Sequence, residues 1–215
     1  MFIATLLTQA GCNIITVIST PTRAETKSEA EFNLAAEKNR KILVLVDQPT
    51  YLECHPNLRY FITDTVIKLF QQQAKIPDSN FISYNALAEF RSNTPDFSLM
   101  PPEKVGSALG ADYVLLIAVS KCRISQIGDT GYVGGNLVAQ AQLFRVAGGE
   151  KVWPALEQAK IVRVGFESEK RGSDAAAVRL SFAAAHCVTR YLYNCPQTKF
   201  KISDEITDVG WEQIK

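Results

Sequence analysis

The chain has 215 residues, 47% of them hydrophobic, and a formal net charge of +1. That hydrophobic share is enough for a substantial core, and the length beyond a leader fits one domain. The near-neutral balance gives no bulk electrostatic basis for nucleic acid as a partner. No later segment approaches the roughly 20 apolar residues of a membrane-spanning helix.

The first residues run Met1-Phe-Ile-Ala-Thr-Leu-Leu-Thr-Gln-Ala-Gly-Cys12 without a charge. An apolar stretch that closes on Ala10-Gly11-Cys12 looks like the lipobox of a bacterial lipoprotein signal peptide. In that chemistry the Cys12 thiol receives a diacylglyceryl group, and cleavage falls between Gly11 and Cys12. Small side chains at Ala10 and Gly11 let the backbone enter the peptidase. Gln9 stands where an aliphatic residue is usual, and no Lys or Arg precedes Arg23. The other reading makes residues 1–19 a buried element and Cys12 an apolar core cysteine. The segment after it, polar and with Pro21, reads as a tether. The expected layout is a signal peptide over 1–12, a tether over 13–38, a mixed α/β domain over 39–197 and a tail over 198–215.

Within the domain, residues 41–47 form an aliphatic run, which predicts a strand covered on both faces. Apolar residues from Leu58 to Phe70 recur at helical spacing, closed by Pro77. A short strand over 81–84 follows, then a brief helix capped by Asn85. Residues 92–102 carry Pro95, Pro101 and Pro102 and read as a loop; a helix then runs to Leu109 and stops at Gly110. Residues 111–120 read as a strand, with an extension to Ile124. The glycines of 126–135 read as a flexible loop. Residues 137–146 alternate, with Leu137, Ala139, Ala141 and Leu143 on one face. A turn at 147–150 leads to a return strand over 151–153, and a further strand covers 159–166. A long helix from Asp174 to about Tyr193 would lay Val178, Phe182, Ala185 and Val188 on the sheet. The order β-α-β-α-α-β-β-β-β-α predicts an α/β (α+β) single domain, with a mixed sheet of five to six strands flanked by helices.

Chemistry-bearing residues are few. Cys54, Cys122, Cys187 and Cys195 permit two disulfides in three connectivities, while Cys122 and Cys187 fit buried thiols equally well. No CxxC spacing supports a metal. Cys187 and Cys195 on one continuous helix would lie about 12 Å apart, too far to bond. His55 beside Cys54 makes a poor thiol–imidazole pair, because adjacent side chains rarely meet in the needed geometry. His186 reads as a packing residue. Gly128, Gly131, Gly134 and Gly135 lead into a strand and lack the Gly-Lys-Ser/Thr ending of a phosphate loop. Asp47 ends the first strand and reads as a turn residue, although strand ends are where α/β folds place ligands. Trp153 and Trp211 are candidate interaction anchors. The sequence therefore gives no catalytic residue, no metal and no cofactor.

The run Gly106-Ser-Ala-Leu-Gly-Ala-Asp-Tyr-Val-Leu-Leu-Ile117 is followed by Ala-Gln-Leu-Phe-Arg-Val and then Gly-Gly-Glu-Lys-Val-Trp153. This pattern resembles bacterial envelope lipoproteins with a curli-secretion-channel-like fold. Penicillin-binding-protein activator lipoproteins and the TolB amino-terminal domain are relatives in architecture. The resemblance covers roughly residues 40–195. It implies a fold rather than an activity, and a non-enzymatic protein that binds or scaffolds other envelope proteins. It also implies attachment to the membrane by a lipid, facing the periplasm, with the outer membrane favoured. Contact loops would be those of Pro95 and Pro101 or of Gly131 and Gly134. Two alternatives stand beside it. One is a soluble α/β enzyme or nucleotide-binding protein with a pocket near Asp47 and Tyr84. The other is an oligomeric secretion component whose hairpin around 113–146 crosses the membrane; Lys121, Arg123, Gln140 and Gln142 argue against that hairpin facing lipid.

Overall fold

The computed structural model describes residues 26–200, except 50, 53, 130, 131, 170 and 171. Gly11, Cys12, Gly131 and Trp211, with the proposed leader, the first half of the tether and nearly all of the tail, lie outside the described residues.

The elements are β1 (Lys27–Ser28), β2 (Ile42–Asp47), α1 (Leu58–Leu69), α2 (Tyr84–Asn93), α3 (Pro102–Ala108), β3 (Tyr113–Ile127), β4 (Tyr132–Arg145), β5 (Glu150–Trp153), β6 (Lys160–Glu169), α4 (Gly172–Thr189), β7 (Cys195–Pro196) and α5 (Gln197–Phe200). Five strands make one mixed sheet. β2 runs parallel to β3, and β3 and β4 form a long antiparallel hairpin. β5 and β6 lie end to end on the far side of β4. A separate two-stranded pair joins β1 to β7.

The aliphatic run of β2 is buried over Ile42–Val46 because both its faces are covered. One face carries Ile42, Val44, Tyr113, Leu115, Ile117, Ala139, Ala141 and Leu143 and packs under α1 and α4. The other carries Leu43, Leu45 and Val114 and packs under Leu87 of α2 and Val105 of α3. Each such Leu or Val contributes about 1.5–3 kcal/mol by leaving water. Gly110 stops α3 at φ +70, a left-handed conformation that costs glycine little. Two residues on, the Asp112 carboxylate accepts from Lys41 N at 2.7 Å and locks the starts of β2 and β3 together.

Several boundaries differ from expectation. The second strand shrinks to one bridge, Phe81 with Ile42, since Ser83 already accepts from Ala86 N as the cap of α2. Among the described residues ahead of 39, β1 pairs with β7 and Leu34 is buried. The largest correction concerns the glycine-rich stretch. Only the link around Gly128 and Asp129 is a turn; Gly134 and Gly135 belong to β4 and pair with Ser125 and Ile124. Gly135 is required by close approach, because a Cβ there would sit 2.6 Å from Phe166 Cε1. The hairpin therefore continues past the end of β2 as a three-stranded blade of β3, β4 and β6.

A bulge sets the faces of that blade. Register shifts between Val119 and Lys121, with Ser120 as the extra residue. Before it, odd-numbered residues of β3 face α1 and α4; after it, Cys122 and Ile124 do. The shift turns Lys121 and Arg123 to the opposite, uncovered face. In α4, Ala177, Leu180, Ala184 and Val188 form the buried stripe. Val178 is instead 47% exposed, because it lies on the side of the helix turned from the sheet.

Candidate functional site

The carboxyl end of β2 gathers Asp47, Arg59, Tyr60, Tyr84 and Arg91. The carbonyl of Ile42 accepts from Ile82 N on the outer edge of β2. Alternate carbonyls face the same way, so the later ones on that edge need other donors. Arg91, from α2 on one face, donates through Nη2 to Val46 O at 3.2 Å. Arg59, from α1 on the other face, donates through Nη2 to Gln48 O. The two helices thus bring two guanidinium groups to neighbouring points of one strand edge. Arg91 also lies over the Phe97 ring, 4.8 Å from its centroid. Burial, and then the charge of Arg59, push the Arg91 guanidinium below its ordinary pKa.

Asp47 is exposed at this corner. Among the described residues, no carboxylate lies within ion-pair distance of Arg59 or Arg91. Tyr60 and Tyr84 meet edge to face beside them, with ring centroids 5.3 Å apart. The corner fits the strand-end position at Asp47 and Tyr84 raised by the soluble-enzyme alternative. Sequence reasoning missed Arg59 and Arg91, which come from separate helices and share no local spacing. No group of three or more His, Cys, Asp or Glu residues among the described residues could hold a metal ion.

A second node lies at the root of the blade. Cys54, in the loop between β2 and α1, forms a disulfide with Cys122 of β3. It reaches β3 just past the point where β2 stops pairing, at Asp47 opposite Ala118. Cys187 and Cys195 are buried thiols. His55 does not act on Cys54. Its Nδ1 accepts from Asn57 N at 3.2 Å, so Nε2 carries the proton and donates to Asp174 Oδ1 at 2.8 Å. The ring ties the start of α1 to the first turn of α4. His186 is buried and donates through Nε2 to Lys199 O at 3.1 Å, a packing role.

The proposed contact loops fare differently. Pro95 and Pro101 flank a one-turn helix, Phe97–Leu99, in which Phe97 packs on Phe90 and Leu99 is 81% exposed. Pro101 precedes α3 with extended backbone. Gly134 is a strand residue rather than a loop residue. Trp153 is buried, with Nε1 donating to Glu31 Oε2 at 2.8 Å, so it anchors the fold and not a partner. A groove of about 350 Å³ between α1 and α4 is lined by Tyr60, Phe61, Val178 and Phe182 among others. No helix among the described residues is long and apolar enough to cross a membrane.

No protein-family model and no curated protein sequence matches the chain. Solved structures do. The lipoprotein GNA1162 from Neisseria meningitidis is 19% identical with a TM-score of 0.42, over 66% of this chain and 93% of that one. The PelC dodecamer from Paraburkholderia phytofirmans is 13% identical with a TM-score of 0.44, over 78% and 96%. Protein XCC0632 from Xanthomonas campestris is 14% identical with a TM-score of 0.39, over 81% and 84%. Bacterial lipoproteins are thus among the structures this chain is similar to. The likeness is one of chain course, and no activity or partner is carried across from it.

Proposed function

We propose that the chain is a lipid-anchored protein of the bacterial cell envelope, joined to the membrane through Cys12 and facing the periplasm, with the outer membrane favoured. It works by binding or scaffolding other envelope proteins and is not an enzyme. The motif Ala10-Gly11-Cys12 carries the reading, because a cysteine after two small residues and an apolar stretch is what lipidation needs. The Cys54–Cys122 disulfide supports it, since such bonds persist in oxidising compartments outside the cytosol. Of the two contact loops, that of Pro95 and Pro101 is taken as the contact, because Leu99 is exposed in it.

Metabolic labelling with an alkynyl fatty acid tests the anchor. The native chain is expected to take up label and move with membranes, and Cys12→Ser to lose both. Label that persists in Cys12→Ser overturns the attachment. Crosslinking in envelope extracts, compared between the native chain and Leu99→Asp, then tests the contact loop; an unchanged set of crosslinked proteins removes it.

A further inference from the structure

The two outer edges of the sheet are finished differently. On the β2 side the outward carbonyls are taken: Ile42 O by Ile82 N, Val46 O by Arg91 and Gln48 O by Arg59. On the β6 side, among the described residues, no hydrogen bond beyond the β4 ladder reaches the backbone of 160–167. β6 is ten residues long, has no proline and pairs with β4 without a register shift. Edges are commonly shortened, bulged or broken by proline to stop another chain adding to them, and here charge alone is left to do so. Arg163 and Glu167 are exposed, lie on the same face two residues either side of Gly165, and make no ion pair among the described residues. Guards of one sign would repel a second copy. Opposite signs set evenly about one residue match it instead.

We propose that β6 is a self-association edge, at which two copies of this chain pair their β6 strands antiparallel about a two-fold axis through Gly165. The register sets Arg163 opposite the partner's Glu167, and the same pair recurs across the axis. It joins 161–169 of each copy and leaves out Lys160, whose ammonium already pairs with Glu31 at 2.7 Å. Strand faces stay aligned across such an axis, so the α4-covered faces of both copies lie on one side. The pairing does not depend on the lipid anchor.

Gly165→Cys in the full chain tests the axis. Residues directly opposite have Cα atoms about 4.5–5.5 Å apart, which a disulfide can span. A Cβ at Gly165 meets only Gly135 O, at an ordinary 3.5 Å, so the substitution fits the strand. Membranes carrying Gly165→Cys are expected to give a covalent dimer under mild oxidation. Ile161→Cys, on the same edge, should give none, since its two copies would stand about 27 Å apart. No dimer from Gly165→Cys, or as much from Ile161→Cys, overturns the register. In the Gly165→Cys background, Arg163→Glu puts like charges opposite each other and should cut dimer yield about tenfold. Adding Glu167→Arg should restore it, and yield that ignores both changes overturns the charge match. Both charge variants should keep the urea midpoint of the dilute chain, which shows them folded. Sedimentation of the native chain in detergent decides without any variant: a concentration-dependent dimer is expected, and a monomer throughout overturns the association.

Discussion

The two halves of the sheet are built differently. Where β2, β3 and β4 lie side by side, helices cover both faces: α1 and α4 on one, α2 and α3 on the other. In the blade, α4 covers one face and the other holds Lys121, Arg123, Asn136 and Arg163. The first half is held by burial on two sides. The second is held by strand pairing, one packed face and a disulfide at its root. An antiparallel sheet tolerates this asymmetry because alternate residues can be polar. A parallel pair such as β2 and β3 has covered faces.

Three substitutions set the halves against each other. Leu115→Ala, in the doubly covered half and fully buried, should cost about 3–4 kcal/mol in urea unfolding. A loss under 1 kcal/mol would mean that this half carries no more of the stability than the blade. Gly135→Ala brings a methyl group against Phe166 and Leu180 and should cost about 1–3 kcal/mol. Hydrogen exchange should show that loss first in β4 and β6 around the blade, and uniform acceleration would deny the blade its own local stability. Arg163→Gln, on the uncovered face, should change stability by no more than about 0.5 kcal/mol. A larger loss would show that this face is covered in solution.

How much of this was legible follows from how each half is built. β2 announced itself because a strand covered on both faces needs an unbroken aliphatic run. The alternation in β4 was equally plain, since its Leu and Ala residues face a core and its Gln residues do not. The blade was hidden by its glycines. Gly134 and Gly135 carry no side chain to display a period, and the close approach that requires Gly135 comes from Phe166 on another strand. The bulge at Ser120 was hidden too, because an inserted residue reverses parity without changing composition. On α4, Val178 and Phe182 form an apolar stripe as regular as the buried one; only the position of the sheet decides between them. The pairing of Cys54 with Cys122 and the meeting of Arg59 with Arg91 depend on contacts between distant segments, which no local spacing records.

The ends of β4 also give the domain a direction. Glu31, just inside the described chain, bonds Trp153, which stands opposite Leu143. The link between β3 and β4 follows Ile127 and precedes Tyr132, some 36 Å away along the strand at its ordinary rise. A pull applied through residues ahead of Thr26 therefore enters the domain near Trp153, at the end of β4 away from that link. A probe grafted beside Gly128 would stand some 36 Å along β4 from the Glu31–Trp153 bond.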